Sequence, residues 1–498
     1  MSQKSHQLPK EYLQKKAALN TRRLFLKKCG LGVASMAIGS VLGGCGNSVS
    51  NPPQSVNQAQ NLVNKLAHFA PKAKSVIFIH MAGAPSQLEL FDYKPALAKL
   101  HGQKCPDSLL EGKKFAFIRG VPSMLGPQAN FQQRGQSGAW ISDLLPHLAE
   151  IADEVTFLKA IHTDQFNHAP AQLLMHTGGA RLGRPSMGSW VTYGLGSENE
   201  NLPGFMVLTS GGYNPDAGKQ VWGSGFLPSV YQGVQCRTKG DPVLYLSDPK
   251  GMNRSVRRAS IDAINEVNQL THQEFKDPET LARIAQYEMA FRMQIAVPEV
   301  MNIKDEPAYI HELYGTKIGK ASFANNALLA RKLVEKGVRF VQLFDWGWDT
   351  HGVSKDTALD IGLVDKCRET DRPVAALLTD LKQRGLLEET LVVWAGEFGR
   401  TPMQENRNGI GQSFMGRDHH TDAFTIWMAG GGIKKGYTHG ATDELGYEAI
   451  SGKQSIFDVQ ATILNQLGFD HEKFTYQFQG RPFRLTDVEG EVIRDIIA

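Results

Sequence analysis

The chain has 498 residues, 41% of them hydrophobic, and a net charge of +4. Residues 1–44 hold eight lysines and arginines against one glutamate, so the remainder carries −3, and the basic balance that would suggest a nucleic-acid partner belongs to the N-terminus alone. The five cysteines include no C-x-x-C pair, which excludes a disulfide scaffold, and no later segment is apolar for long enough to span a membrane.

The first element is the stretch TRRLFLK, with Arg22 and Arg23 as the arginine pair of a twin-arginine export signal. The segment after it, CGLGVASMAIGSVLGGC, is weakly apolar, rich in glycine and shorter than the ~20 residues of a spanning helix. Its end, LGGC, resembles a lipobox and predicts lipid on Cys45 after cleavage; ordinary signal-peptidase cleavage and an uncleaved anchor are the alternatives. The partners implied are the Tat translocase and, through the lipid, a membrane. The location implied is the periplasm or cell surface. Residues 1–45 are thus the signal, 46–72 a polar tether rich in Asn, Gln, Ser and Pro, and 73–498 the folded domain.

From Ser75 onward, short apolar runs alternate with helical periodicity. SVIFIH, EVTFLKAIH, GFMVL, RFVQLFDW, TLVVWAGEF and AFTIWMAGG read as strands; FANNALLARKLVEKG, PVAALLTDLKQRG and SIFDVQATILNQLG read as helices. Two of these helices run through a glycine into the next strand. This alternation predicts an α/β domain with a mostly parallel central sheet and helices on both faces. Residues 211–320, with weaker strand signals and two long helical patterns, read as a helical insertion.

In such a sheet, ligands bind beyond the carboxyl ends of the strands, and the chemically active side chains fall there. VQLFDWGWDTHG delivers Asp349 and His351; LVVWAGEFGRTP delivers Glu397 and Arg400; GRDHH places Asp418, His419 and His420 before a strand; SVIFIHMAGAPS delivers His80 and Ser86. Carboxylates with imidazoles suit a divalent metal: zinc, manganese or calcium. Each group has a structural alternative. Asp349 and His351 also suit a turn, Glu397 an ion pair with Arg400, and Ser86 a helix cap. Three polar groups before a buried strand are costly without partners, which makes 418–420 the strongest of these signals. HTGGARLGRPSMGSW matches no nucleotide-binding fingerprint.

The ordered set GAPSQLELFD, NHAPAQLLMHTGG, PSMGSWVTYGLGSEN, WDTHG, GEFGRTP, GRDHH and MAGGGIKKGYTHGATDELGY, behind the twin-arginine segment, resembles the exported bacterial proteins of the domain of unknown function 1501 family. That family looks like a branch of the alkaline phosphatase and sulfatase superfamily. The resemblance implies that fold, metal ligands on loops after the strands, and hydrolysis of phosphate or sulfate esters, with an anionic ester carried on a polysaccharide as one form of substrate. It puts ligands at Asp349, His351, Glu397 and His420, with His419 as close competitor. The superfamily's first-strand Asp has no counterpart, since Met81 and Ala82 stand there, and His168 occupies the nucleophile's position. Ser86 is the hydroxyl candidate for nucleophile, His168 a base or phospho-histidine nucleophile, and Arg400 the group that offsets the ester's charge. A non-catalytic, lipid-anchored binding or assembly protein on the same fold is the alternative that these departures favour.

Overall fold

The computed structural model describes residues 67–498 apart from 238–242, 244–247, 249–250 and 408–411. Arg22, Arg23, Cys45 and most of the tether lie outside the described residues. Among the described residues no helix is long and apolar enough to cross a membrane.

Among the described residues nine strands form the central sheet: β1 (Ser75–Ala82), β2 (Thr156–His162), β3 (Phe205–Ser210), β4 (Val234–Cys236), β5 (Phe340–Trp346), β6 (Thr390–Ala395), β7 (Phe424–Ala429), β8 (Tyr437–His439) and β9 (Gln454–Ser455). Their order is β8-β2-β7-β6-β1-β5-β3-β4, with β9 also beside β2. All pairings are parallel except the two made by β7. The six longest strands are those legible in the sequence. β4, β8 and β9 are two or three residues each, too short to produce a periodic signal.

Every residue of the central strand β1 is buried. Because successive side chains alternate, Ile77, Ile79 and Met81 enter one core while Val76 and Phe78 enter the other. Helices α6 (Phe323–Glu335) and α7 (Gly362–Gln383) fill the first core through Leu328, Leu333, Leu377 and Leu381; α1 (His168–Thr177), α2 (Met187–Leu195) and α8 (Ile456–Gln466) fill the second through Met175, Trp190 and Ile463. The helices therefore cover both faces, as the alternation predicts. Helix α6 shows the local cause: the Ser322 side chain caps its first turn by accepting from Asn325 N, its apolar side is buried, and the chain turns at Gly337 to enter β5.

Within 211–320, α3 (Arg254–Phe275) and α4 (Pro278–Met301) pack as a helical pair, followed by α5 (Ala308–Tyr314). The segment does not begin as a pure insertion. Its β4 extends the sheet by pairing with β3, Met206 opposite Val234.

Candidate metal centre

The loops after β1, β5 and β6, the start of α1 and a small ribbon before β7 meet at one end of the sheet. Gly83 makes the approach possible. Its φ is +110°, and a Cβ there would lie 2.5 Å from Asp349 N, so a side chain would push the loop after β1 off the loop after β5. The ribbon pairs His419 with Arg400 and His420 with Gly399.

Four side chains, His168, Asp349, His351 and His419, present ligand atoms that all lie within 4.8 Å of one another. Asp349 Oδ1 lies 2.9 Å from His351 Nε2, 3.3 Å from His168 Nε2 and 3.6 Å from His419 Nε2. The Nε2 atoms of His351 and His419 are 3.0 Å apart. Each imidazole is held from behind at Nδ1: His351 by Glu405, His168 by Glu397 at 2.7 Å, and His419 by the Phe166 carbonyl at 2.6 Å. A carbonyl or carboxylate only accepts, so each Nδ1 carries a hydrogen, and any Nε2 without a proton turns a lone pair to the centre. Lone pairs 3.0 Å apart repel unless a proton or a cation lies between them. His168 Nε2 is also buried with no hydrogen-bond partner. Metal-bound histidines are held in this way, with Nδ1–H donating to a carboxylate or carbonyl that fixes the ring, and the donor set fits a divalent cation.

The electrostatics agree. Burial alone would raise the Asp349 carboxyl, but Arg400 and the three imidazoles hold it far below the usual carboxylate range. Burial opposes charge on His168, yet Asp349 and Glu397 raise it to about 9. His419 is pushed down to about 4, by burial first and then by Arg400, His168 and His351 against the pull of Asp349. One imidazole thus takes a proton while its neighbour resists one, so proton and metal compete for the same space.

Glu397 is fully buried. It accepts from Gly83 N (3.0 Å), Ala84 N (3.2 Å), Gln172 Nε2 (3.1 Å) and His168, and His80 Nε2 lies 3.3 Å away. Burial favours its neutral form, but His168 and His80 hold it well below the carboxylate range. Behind it the chain of partners continues: His80 Nδ1 faces His176 Nε2 at 3.1 Å, and His176 Nδ1 faces Gln342 Nε2 at 3.0 Å. The same amide nitrogen faces the Val221 carbonyl, which can only accept, so it donates at both contacts. It follows that His176 donates from Nε2 to His80 Nδ1, so His80 carries its own hydrogen on Nε2, which lies 3.3 Å from Glu397 without forming an aligned hydrogen bond. The chain of donation runs from Gln342 through His176 to His80, which stands against the carboxylate that holds His168.

The family model described as "Protein of unknown function (DUF1501)" matches residues 73–497. The chain belongs to the DUF1501 family. Among solved structures it is similar to the PsFucS1 sulfatase from Pseudoalteromonas sp. (13% identity, 85% of this chain and 73% of that one, TM-score 0.33). It is also similar to the alkaline phosphatase of the Antarctic bacterium TAB5 (9%, 72% and 92%, 0.29) and to the phosphonate monoester hydrolase of Agrobacterium radiobacter (10%, 80% and 74%, 0.31). No match is found among curated proteins.

In this DUF1501 chain the residues singled out in the sequence take different places. Asp349, His351 and His419 converge, joined by His168 in a ligand's position. Glu397 sits one layer back, as the anchor of His168. Neighbours on a strand face opposite ways, so with His419 turned inward His420 points out, its Nε2 2.6 Å from the Tyr447 carbonyl. Asp418 spends its oxygens on the amides of Phe117 (2.7 Å), Ile118 (2.8 Å) and His419 (2.8 Å). It thereby holds the segment whose Phe117 ring stands edge-on to His351 at 4.9 Å. With His351 and Glu405 it forms a second candidate metal group, but these amides already occupy its oxygens.

Ser86 is fully buried and donates its hydroxyl to Glu89. Arg400 is fully buried too, donating to Asp349 and to the carbonyls of Gly83, Ala84 and Arg417; it does not pair with Glu397 and has no face free for a substrate anion. Glu405, His176 and Gln342 were not singled out in the sequence. For Gln342 the signal was a polar residue inside an apolar strand, which burial forces to find partners.

Proposed function

We propose that His168, Asp349, His351 and His419 bind one divalent cation and that the protein hydrolyses phosphate or sulfate esters outside the cytoplasm. The observation that carries this reading is the 3.0 Å approach of two imidazole Nε2 atoms whose Nδ1 atoms are both committed elsewhere. Three nitrogens and one oxygen favour zinc or manganese over calcium, which prefers six to eight oxygens. Bound there, the cation supplies Lewis acidity to an ester oxygen and acidifies water. The chain's own contribution is orientation. Glu397, Glu405 and Phe166 fix the rings, Arg400 fixes Asp349, and Phe117 and Phe398 wall the rings off. Asp349 and His168, with side chains 29% and 17% exposed, form the open side where a substrate would enter.

With Ser86 bound to Glu89, water is a better candidate nucleophile than serine. The same commitments of Ser86 and Arg400 favour the second reading, a metal-holding but non-catalytic surface protein. The twin-arginine segment and Cys45 support a Tat-exported, lipid-anchored location for either.

Metal analysis of the purified protein, with assays on aryl phosphates and sulfates, tests the proposal. One zinc or manganese per chain and ester cleavage are expected, both lost in His351→Ala. A chain that binds neither metal overturns the centre; a metal-loaded chain that cleaves no ester leaves the second reading.

A further inference from the structure

Asp349 opens onto a cleft of about 1200 Å³ at the carboxyl ends of β3 and β5. This is large for a single small molecule, for which pockets of roughly 300–1,000 Å³ are usual. Near Asp349 in this cleft stands an aromatic pair. The Tyr213 and Trp346 ring centroids are 4.6 Å apart with planes tilted by 48°, and Tyr213 is 66% exposed while Trp346 is half-buried. The pair is built into the backbone. Gly211, at φ +83°, lies so close to the strand that a Cβ would sit 2.3 Å from the Trp346 carbonyl oxygen, so only glycine lets the loop carry Tyr213 onto Trp346.

Such a pair offers a ligand an apolar face with a polar handle at its edge. Around it, however, the walls are hydrogen-bonding groups of both signs, among them Asn214, Lys317, Asp356, Arg368 and Glu369, interrupted by glycine backbone. A lipid or an apolar peptide would offer these walls no hydrogen bonds. A polyanion such as nucleic acid would meet five acids against four bases. A sugar ring has the matching chemistry: a face of C–H groups that lies on an aromatic ring, and a rim of hydroxyls that both donate and accept.

We propose that this cleft is a saccharide-binding subsite in which Tyr213 and Trp346 hold the face of a sugar ring. Trp346 lies three residues before Asp349 and lines the same cleft, so a ring held there keeps its neighbouring substituents near the metal centre. That last step rests on the ester-hydrolase reading; saccharide binding itself does not.

Isothermal titration with a panel of hexaoses (β-1,4-glucan, xylan, mannan, galactan and sulfated galactan) separates the two. At least one hexaose is expected to bind, with affinity reduced about tenfold or more in Tyr213→Ala and Trp346→Ala, retained in Tyr213→Phe, and unchanged in His351→Ala for a neutral sugar. Tyr213 is exposed, so its removal leaves the melting temperature in place and the loss is one of binding. No binding to any of the five, or equal binding in both alanine variants, overturns the subsite even where ester hydrolysis is found. Binding without hydrolysis upholds it and removes the ester reading instead.

Discussion

The Nε2 atoms of His351 and His419 face one another at 3.0 Å, while their Nδ1 atoms are held by Glu405 and by the Phe166 carbonyl. Of these two anchors only Glu405 is a side chain. Glu405→Ala is expected to weaken zinc binding by about 10- to 100-fold, the usual effect of losing an outer partner. His351→Ala should remove binding altogether. A chelator competition titration distinguishes the two, and equal affinity in wild type and Glu405→Ala would mean that the ring needs no anchor.

The chain of donation from Gln342 makes His80 more than filling for the core. It is fully buried and turns its Nε2 to within 3.3 Å of Glu397 Oε2. His80→Leu should cost about 1–3 kcal/mol through the polar groups left unpaired, and should lower metal affinity by loosening His168. His80→Gln, which can still donate, should recover part of both. Recovery of stability without recovery of affinity would confine His80 to packing.

Arg400 is the anion-binding candidate whose place in the structure differs most from its reading in the sequence. Four acceptors, three of them carbonyls, surround its guanidinium. Its expected role is to join the loops after β1, β5 and β6. Arg400→Met should destabilise the fold by about 3–5 kcal/mol, because three buried carbonyls lose their donor while Asp349 loses its counter-charge. Arg400→Lys should recover little, since an ammonium cannot reproduce the fork. Urea denaturation measures both.

These cases show what the linear pattern can convey. Strand ends are visible as apolar runs, so the sheet, its two helical layers and the crowding of Asp349, His351, Glu397 and the 418–420 cluster at one edge were legible. Side-chain direction depends on register, which a two-residue ribbon does not reveal. His419 and His420 are therefore indistinguishable until Arg400 and Gly399 are seen opposite them. Distance into the core was equally hidden. Glu397 is as acidic in sequence as Asp349, but it follows the β6 strand and accepts the amides after β1, which makes it an anchor one layer behind the cluster. Glu405 and Gln342 become significant only once the histidines they support are in place.

His420 offers a test by pH that is independent of the cluster. Burial lowers its pKa below the ordinary 6.5, while the Tyr447 carbonyl and Asp422 pull weakly the other way. The folded protein therefore keeps the ring neutral in a range where the unfolded chain takes up a proton. With more protons bound in the unfolded state, stability rises with pH, so the contribution is intact above 6.5 and is lost as pH falls below that value. Each such histidine adds a slope of up to about 1.4 kcal/mol per pH unit. His176, pushed well below 6.5 by burial and by His80, has the same sign. His420→Gln keeps a donor for the Tyr447 carbonyl but cannot titrate. Chemical denaturation of the metal-free protein between pH 7.5 and 5 should show stability falling with acid, and falling less steeply by up to one proton's slope in His420→Gln. Identical slopes would mean that His420 becomes charged in the folded state, and hence that water reaches it behind the ribbon.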